Sequence, residues 1–203
     1  IIIILNNKQD KYQEIYDVTK FYFPNSEIIT ISDFTDGPAS TCLFAEKYIK
    51  NDEELIIANC DQFLYWDSED FLKRLKNKPN DGIVVTYFTD VPHNSYAAVK
   101  NGLVTQIKEK QVISKYSLNG IHYWRKAKFF YDSAKIMMTK NLRVNNEFYI
   151  APTYQELINL NYQIGIYNIP KDRHYSLGNP NDLNNFTKKI NINMIKYYFN
   201  ENI

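Results

Sequence analysis

In the first third of the chain, the spacing of apolar residues alternates between that of strands and that of helices. Ile1–Leu5 is an uninterrupted apolar run, typical of a strand that a sheet buries on both faces. Gln9–Phe23 then carries apolar and aromatic residues near helical spacing, and Pro24 ends it. The same order repeats in strand Glu27–Ser32, helix Ala39–Lys50 and strand Leu55–Asn59. Alternating strands and helices predict a parallel sheet, with Leu55–Asn59 as an interior strand.

The middle of the chain changes to hairpins. Ser95–Lys100 and Leu103–Lys108 are predicted strands, and Asn101-Gly102 between them favours a two-residue turn because both residues tolerate positive φ. The remaining predicted elements are strands Gly82–Phe88, Tyr116–Trp124 and Gln163–Ile169, and helices from Asp67, over Lys126–Met138, over Tyr149–Asn159 and from Asn181. The pattern predicts one domain over 1–203, a three-layer α/β sandwich whose mixed, mostly parallel sheet carries an antiparallel hairpin portion.

Composition removes several classes of function. The 24 Lys and Arg nearly balance the 23 Asp and Glu, giving a net charge of +1, which argues against a basic nucleic-acid surface. No apolar run approaches the roughly 20 residues of a membrane span. The two cysteines, Cys42 and Cys60, are too few for a disulfide framework, so a reducing cytoplasm is the simplest setting.

Asp61 is the first candidate for chemistry because it follows the predicted strand Leu55–Asn59 directly. In open α/β sheets a ligand lies beyond the carboxyl ends of the strands. A carboxylate there suits Mg²⁺, which takes oxygen ligands and shares others with substrate phosphates. An Asp that caps a turn is the commoner arrangement, so this feature alone leaves both interpretations open.

Three other segments place polar residues at the ends of predicted elements. Gly37 opens a helix whose N-terminal amides attract anions, although a plain cap is the alternative. Glu109 and Lys110 end a hairpin strand, where a lysine neutralises phosphate and a carboxylate accepts substrate hydroxyls; a solvated charge run is the alternative. Glu147 either holds a hydroxylated ligand or begins the next helix.

Several motifs stand in the order known from one enzyme family. They are GPAST ahead of LIIANCDQ, then SYAAVKNGLVTQIKEKQVIS, NGIHYW, RVNNEFYIAPTYQELI and LGNPNDL. From Ile1 to about Phe186 the chain resembles the sugar-1-phosphate nucleotidylyltransferases, in particular their bacterial capsule and surface-polysaccharide branch. The resemblance implies a Rossmann-like, GT-A-type sandwich, in agreement with the strand and helix order.

The resemblance also implies a Mg²⁺-dependent reaction in which an NTP and a sugar-1-phosphate, or a similar small phosphate ester, give an NDP-activated precursor and pyrophosphate. By matched position, Asp61 ligates the Mg²⁺ and contacts the nucleotide. Lys110 binds the substrate phosphate and joins Asp61 in catalysis, while Glu109 takes substrate hydroxyls. Gly37, Pro38, Ala39 and Ser40 match the segment that lines the nucleotide base, and Gly120 and Glu147 match acceptor positions.

The chain departs from the family in two places. A Gly-rich loop followed by Lys-Pro, which wraps the triphosphate in the family, has no counterpart, and Ile1–Leu5 corresponds to the family's second strand. We therefore expect an N-terminal strand and loop ahead of Ile1; an inactive chain is the alternative. Where many relatives carry Asp-x-Gly-Thr, this chain has Ser176-Leu177-Gly178-Asn179, so a second contact to the metal would come through water, Asn179 or another residue.

Two other functions remain open. A glycosyltransferase of the GT-A type commonly presents Asp-x-Asp, and here Gln62 and Phe63 follow Asp61 without a second acid. A non-catalytic nucleotide-binding domain would explain the absent glycine loop. The aromatic stretch Met194–Phe199 either packs on a second copy of the chain, giving a homo-oligomer, or closes the domain's own core.

Overall fold

A six-stranded sheet forms the centre of the molecule, whose computed structural model describes residues 1–77 and 80–190. The strands are β1 (Ile2–Asn6), β2 (Glu27–Ile31), β3 (Leu55–Ala58), β4 (Gln62–Leu64), β5 (Gly82–Phe88), β6 (Tyr96–Lys100), β7 (Leu103–Lys108), β8 (Tyr116–Trp124), β9 (Ile164–Asn168) and β10 (His174–Ser176). The helices are α1 (Tyr12–Tyr22), α2 (Pro38–Cys42), α3 (Ser68–Asn77), α4 (Ala127–Thr139), α5 (Ala151–Asn159) and α6 (Pro180–Lys189). The central sheet has the order β3–β8–β5–β9–β7–β6, and β6 also pairs with β8.

Helices cover both faces of this sheet, which confirms the three-layer sandwich. Along β5 the side chains alternate: Val84 joins the core under α2, α4 and α5, whereas Ile83 and Val85 join the core under α3. The first core is centred on Trp124, which stacks on Tyr154 of α5 with ring centroids 4.6 Å apart. Both layers therefore fix β5 and β8, which pair with each other along the sheet.

The direction of the strands differs from the sequence prediction. The mixed sheet and the β6–β7 hairpin are confirmed, but among the described residues only β1–β2 and β5–β9 pair in parallel, and the other pairs are antiparallel. The prediction of a mostly parallel sheet is therefore corrected. Strand β3 is an edge strand, antiparallel to β8, with Ile56 exposed, and is not the doubly buried interior strand expected from its apolar sequence.

The N-terminal part forms a separate unit of two strands and one helix. β1 and β2 pair in parallel as a two-stranded sheet, and the residues of β1 are only half-buried, contrary to the expectation of full burial. Helix α1 has no buried residue, and Phe21 at its end is 78% exposed. The apolar residues that predicted these elements are thus left partly or fully exposed by the described part of the chain.

One predicted helix and two unpredicted strands differ from the sequence prediction in ways that affect the cavity described below. The predicted helix Ala39–Lys50 is short α2 followed by a 3-10 helix over Leu43–Tyr48. Strands β4 and β10, which the sequence did not indicate, pair antiparallel and join the chain after Asp61 to the segment before α6. The stretch Met194–Phe199 lies outside the described residues, so its two roles stay predictions.

Within residues 1–77 and 80–190, none of the helices combines the length and the apolar character needed to cross a membrane.

Candidate active site

A cavity of about 660 Å³ opens where several strands of the central sheet end. Its wall contains Asn59 and Asp61 after β3, Thr89 after β5, Glu109 and Lys110 after β7, and Lys171 after β9. Strand β8 runs beneath them and contributes its central residues to the floor. Binding sites of α/β sheets lie at such strand ends, because the loops there converge on one place.

Asp61 stands on the first side of the cavity, at the turn between β3 and β4. Its backbone oxygen accepts a hydrogen bond from Leu177 N at 2.8 Å, which ties it to the loop between β10 and α6. A Cβ on Gly178 of that loop would lie 2.7 Å from Asp61 Oδ2. A side chain at this position would displace the carboxylate, so the loop limits where the carboxylate sits.

The donors near Asp61 suit one kind of metal ion. No group of three or more His, Cys, Asp or Glu that could hold a metal occurs among the residues described. The exposed Asp61 carboxylate, with the Ser176 hydroxyl and the Asp182 carboxylate also lining the cavity, is a set of oxygen donors, while the Asn179 amide oxygen there already accepts from Asp182 N at 2.9 Å. Such a set fits Mg²⁺, which keeps several waters and takes further ligands from phosphates, and does not fit a tetrahedral zinc site.

Lys110 stands on a second side of the cavity, at the end of β7, and is held by Tyr149. Its Nζ donates to Tyr149 Oη at 2.5 Å and lies 4.4 Å from the centroid of the same ring. The Tyr149 hydroxyl in turn donates to the Glu147 carboxylate. The hydrogen bond to Tyr149 is the main cause that raises the pKa of Lys110, so the ammonium form is favoured.

Glu109 is largely withdrawn from water beside Lys110. Burial raises the pKa of its carboxyl, against the opposing effects of a hydrogen bond from Ser95 and the charge of Lys110. Ser95 Oγ donates to Glu109 Oε2 at 2.5 Å. Next to it, Asn94 Nδ2 donates to Tyr87 Oη and to Ser117 Oγ, each at 2.9 Å. This side of the cavity therefore presents side chains already ordered by one another.

The loop at Gly37 is fastened to the same side. Gly37 has φ +119°, and a Cβ there would lie 2.7 Å from Phe148 N and 2.8 Å from Phe148 O. Phe148 N donates to Asp36 O at 2.7 Å, and Ala39 N donates to Phe148 O at 2.9 Å. Ala39 itself is fully buried in the core. Gly37 and Ala39 thus shape the loop without lining the cavity.

The structure brings five of the nine predicted site residues to the cavity: Pro38, Asp61, Glu109, Lys110 and Gly120. Gly37, Ala39, Ser40 and Glu147 do not line it, and Glu147 reaches it only through Tyr149. Gly120 has φ +87°, and a Cβ on it would meet the Asn59 side chain at 2.5 Å. The binding roles assigned to all nine residues stay predictions.

Three histidines that were not among the sequence candidates also line the cavity: His93, His122 and His174. Burial lowers the pKa of His122 to about 3, so its imidazole is neutral, and its Nδ1 has no hydrogen-bond partner among the described residues. His174 stacks on Tyr87 with centroids 4.3 Å apart, and burial lowers its pKa while Asp61 opposes the shift. The one available sequence signal for His122 was the two-residue period of β8, which places His122 on the same face of the sheet as Gly120.

Comparisons with known proteins bear on the fold. A sequence comparison finds no matching protein-family model and no matching curated protein. Among solved structures, the chain is similar to a nucleoside-diphosphate-sugar pyrophosphorylase from Vibrio cholerae, with TM-score 0.76 and 19% identity over 92% of this chain and 80% of the other. A putative glucose-1-phosphate thymidylyltransferase from Bacillus anthracis matches with TM-score 0.69 and 18% identity over 95% and 77%. The inositol-1-phosphate CTP transferase from T. maritima matches with TM-score 0.72 and 11% identity over 96% and 76%. The chain therefore has the mixed α/β sandwich fold found in these sugar-nucleotide pyrophosphorylases and nucleotidyltransferases.

Proposed function

We propose that the chain is a nucleotidyltransferase domain that joins an NTP to a sugar-1-phosphate or similar small phosphate ester and releases pyrophosphate. The observation that carries the proposal is that Asp61, after β3, and Lys110, after β7, line one cavity at the strand ends although their strands are not neighbours in the sheet. The structural neighbours support it, because they are a nucleoside-diphosphate-sugar pyrophosphorylase, a putative glucose-1-phosphate thymidylyltransferase and an inositol-1-phosphate CTP transferase.

In the proposed reaction, an oxygen of the acceptor phosphate attacks the α-phosphorus of the NTP. A new phosphorus–oxygen bond forms there, the bond to the β-phosphate oxygen breaks, and pyrophosphate leaves. Such a reaction depends on positioning and on neutralising charge. Lys110 would neutralise the acceptor phosphate, and Glu109 would accept hydrogen bonds from acceptor hydroxyls.

Asp61 would hold a Mg²⁺, with Ser176 and Asn179 within the same wall. When bound, the ion supplies Lewis-acid neutralisation of the phosphate oxygens. The pairing of one protein carboxylate with substrate phosphates accords with how Mg²⁺ is commonly held.

We propose further that the product is a precursor for capsule or surface polysaccharide, made in the cytoplasm. The ordered motifs that resemble the polysaccharide branch support the first part. For the second, Cys42 and Cys60 are free thiols, as expected in a reducing compartment.

A further strand and a Gly-rich loop ahead of Ile1 complete this proposal. Among the described residues β1 pairs only with β2, and β3 only with β8, so each presents an open edge. The strand would pair with these edges and cover the exposed apolar side of α1, and its loop would wrap the triphosphate. Reading the coding sequence upstream of Ile1 tests this, and a native start at Ile1 would overturn it.

Pyrophosphate release by the full-length protein tests the function. Each NTP is paired with a panel of sugar phosphates and inositol phosphate in the presence of Mg²⁺. We expect release with at least one pairing. If no pairing releases pyrophosphate although calorimetry shows that the protein binds nucleotide, the proposal is refuted.

Glycosyl transfer is the alternative, and the sequence after Asp61 weighs against it. The second acid of an Asp-x-Asp pair would stand at Phe63, whose ring instead packs 5.0 Å from that of Phe186. Hydrolysis of a nucleotide sugar without any pyrophosphate chemistry would favour that alternative.

A further inference from the structure

The segment Val144–Tyr149 contacts both the Gly37 loop and Lys110. Val144 and Glu147 exchange two backbone hydrogen bonds of 3.0 Å around Asn145 and Asn146, which both have positive φ. This is the backbone of a tight hairpin turn, for which asparagine is well suited. The residues that follow the turn therefore leave it in a fixed direction.

Phe148 anchors the segment to the Gly37 loop. Besides its two backbone bonds to Asp36 and Ala39, its ring lies under the Arg143 guanidinium at 4.0 Å. Arg143 also donates to Asp36 Oδ2 at 2.8 Å, which closes the contact around the loop. The next residue, Tyr149, is therefore held in place relative to the proposed nucleotide segment.

Tyr149 presents its oxygen to Lys110 in one orientation. Because its hydroxyl hydrogen is donated to Glu147, the remaining lone pairs are available to accept from Lys110 Nζ. A lysine has a long flexible stem, and these contacts limit it to one position over the cavity.

The backbone conformation of Lys110 also indicates that its side chain is placed for a function. Its φ is +54°, in the left-handed region that costs a residue with a Cβ roughly 1–2 kcal/mol. Apart from Lys11, the other described non-glycine residues in this region are asparagines, which tolerate it better. A lysine kept in a costly conformation, with its side chain fixed in a cavity, indicates that its placement serves a function.

We propose that Tyr149 is a positioning residue for the acceptor phosphate, fixing the Lys110 ammonium in the cavity, and that Glu147 acts through Tyr149 by orienting its hydroxyl. The proposal rests on the proposed function and sharpens it, because Glu147 was assigned to the acceptor itself and does not line the cavity.

The first test does not require activity. Competitive acetylation of lysines in the full-length protein is followed residue by residue with mass spectrometry, in the wild type and in Tyr149→Phe. Because the Tyr149 hydrogen bond raises the pKa of Lys110, losing it increases the free amine, and we expect labelling of Lys110 to rise several-fold. Unchanged labelling of Lys110 overturns the proposal.

Two controls accompany this test. Tyr48→Phe removes the hydroxyl from a ring that lies 4.9 Å from Lys47 Nζ, outside the cavity, and should leave Lys110 unchanged. Lys140, which pairs with the buried Glu156, reports on the fold. A rise at Lys140 together with Lys110 would mean general loosening and would also overturn the proposal.

The second test uses the NTP and acceptor pair found by pyrophosphate release. Tyr149→Phe should raise KM for the acceptor about tenfold, the scale of one hydrogen bond to a charged group, and leave KM for the NTP within about twofold. Glu147→Ala added to Tyr149→Phe should cost nothing more. A further additive loss would show that Glu147 contacts the acceptor directly and would overturn its assigned role.

The outcomes for the two proposals are separable. If no pairing releases pyrophosphate, the proposed function fails whatever the labelling shows. If pyrophosphate is released and Lys110 labelling is the same in Tyr149→Phe, only the positioning role fails.

Discussion

The Asp61 side of the cavity is built from a turn, two three-residue strands and an exposed carboxylate, whereas the Lys110 side is built from side chains that bond to one another. On the first side the loop at Gly178 limits where the carboxylate lies. On the second, Lys110, Tyr149 and Glu147 are ordered before any ligand arrives. A ligand that brings a metal and phosphates can complete the first side, while the second is preorganised for one small charged group.

The largest expected effect is on the Asp61 side. Asp61→Asn keeps the shape of the side chain and removes its charge, so turnover should fall at least about a hundredfold, as for other groups that stabilise developing charge. Because Asp61 is exposed, the melting temperature should stay within about 1 °C. Pyrophosphate release and thermal unfolding measure the two quantities.

Asp17→Asn is the matched control, since Asp17 lies on exposed helix α1 and contacts Gln13. Its activity should equal that of the wild type. A loss of stability in Asp61→Asn as large as the loss of activity would support a structural turn in place of a metal ligand.

A substitution on the Lys110 side should instead lower the free energy of unfolding. Gly37→Ala places a methyl group 2.7 Å from the Phe148 backbone at a φ of +119°, and neither backbone can move freely. We expect a loss of about 2 kcal/mol or more in the free energy of unfolding, measured by urea denaturation.

Gly102→Ala separates the two causes in that result. Gly102 also has positive φ, +76°, but no atom lies within 4 Å of an added Cβ. Its loss should be only about 1 kcal/mol, from backbone strain alone. Equal losses in the two variants would mean that the contact between Gly37 and Phe148 contributes nothing.

The stability of the protein should depend on pH through His122, which lies in the cavity floor between the two sides. His122 has a pKa of about 3 when folded and an ordinary value of 6.5 when unfolded. Above pH 6.5 both states are neutral; as the pH falls below 6.5 the unfolded state takes up a proton that the folded state refuses. Stability should therefore fall by about 1.4 kcal/mol per pH unit from this group. Urea denaturation between pH 7 and 4.5 should show a smaller slope in His122→Gln, and identical slopes would contradict the prediction.

The sequence predicted these two sides unequally. Strands Gly82–Phe88 and Tyr116–Trp124 were predicted to the residue, because both are rich in the β-branched and aromatic residues that favour strands. Strands β4 and β10 have three residues each, too few for a period to show, so the surroundings of Asp61 were missed. Strand direction was also misjudged, since the antiparallel pairing of β3 with β8 is a contact between distant parts of the chain.

The candidate residues followed the same division. Asp61 and Lys110 could be found because they stand just past predicted strands. Tyr149 could not, because its contact with Lys110 joins residues 39 positions apart and depends on the turn at Asn145 and Asn146. Local spacing therefore indicated where chemistry could occur, while the ordering of the side chains required the fold.

The smallest expected effect lies at Gly178 and distinguishes the two sides most directly. A Cβ there would meet Asp61 Oδ2 at 2.7 Å, which is the end of a side chain and can move aside, whereas the added Cβ at Gly37 meets backbone. Gly178→Ala should therefore leave the unfolding free energy within about 0.5 kcal/mol. The displaced carboxylate should raise the Mg²⁺ concentration needed for half-maximal activity a few-fold, with acceptor KM unchanged. Binding of Mn²⁺ in the presence of NTP, followed by electron paramagnetic resonance, should weaken by the same factor. If acceptor KM rose and the metal requirement did not, Asp61 would serve acceptor binding, as proposed for Lys110. The cavity would then not divide into one side completed by its ligand and one side ordered in advance.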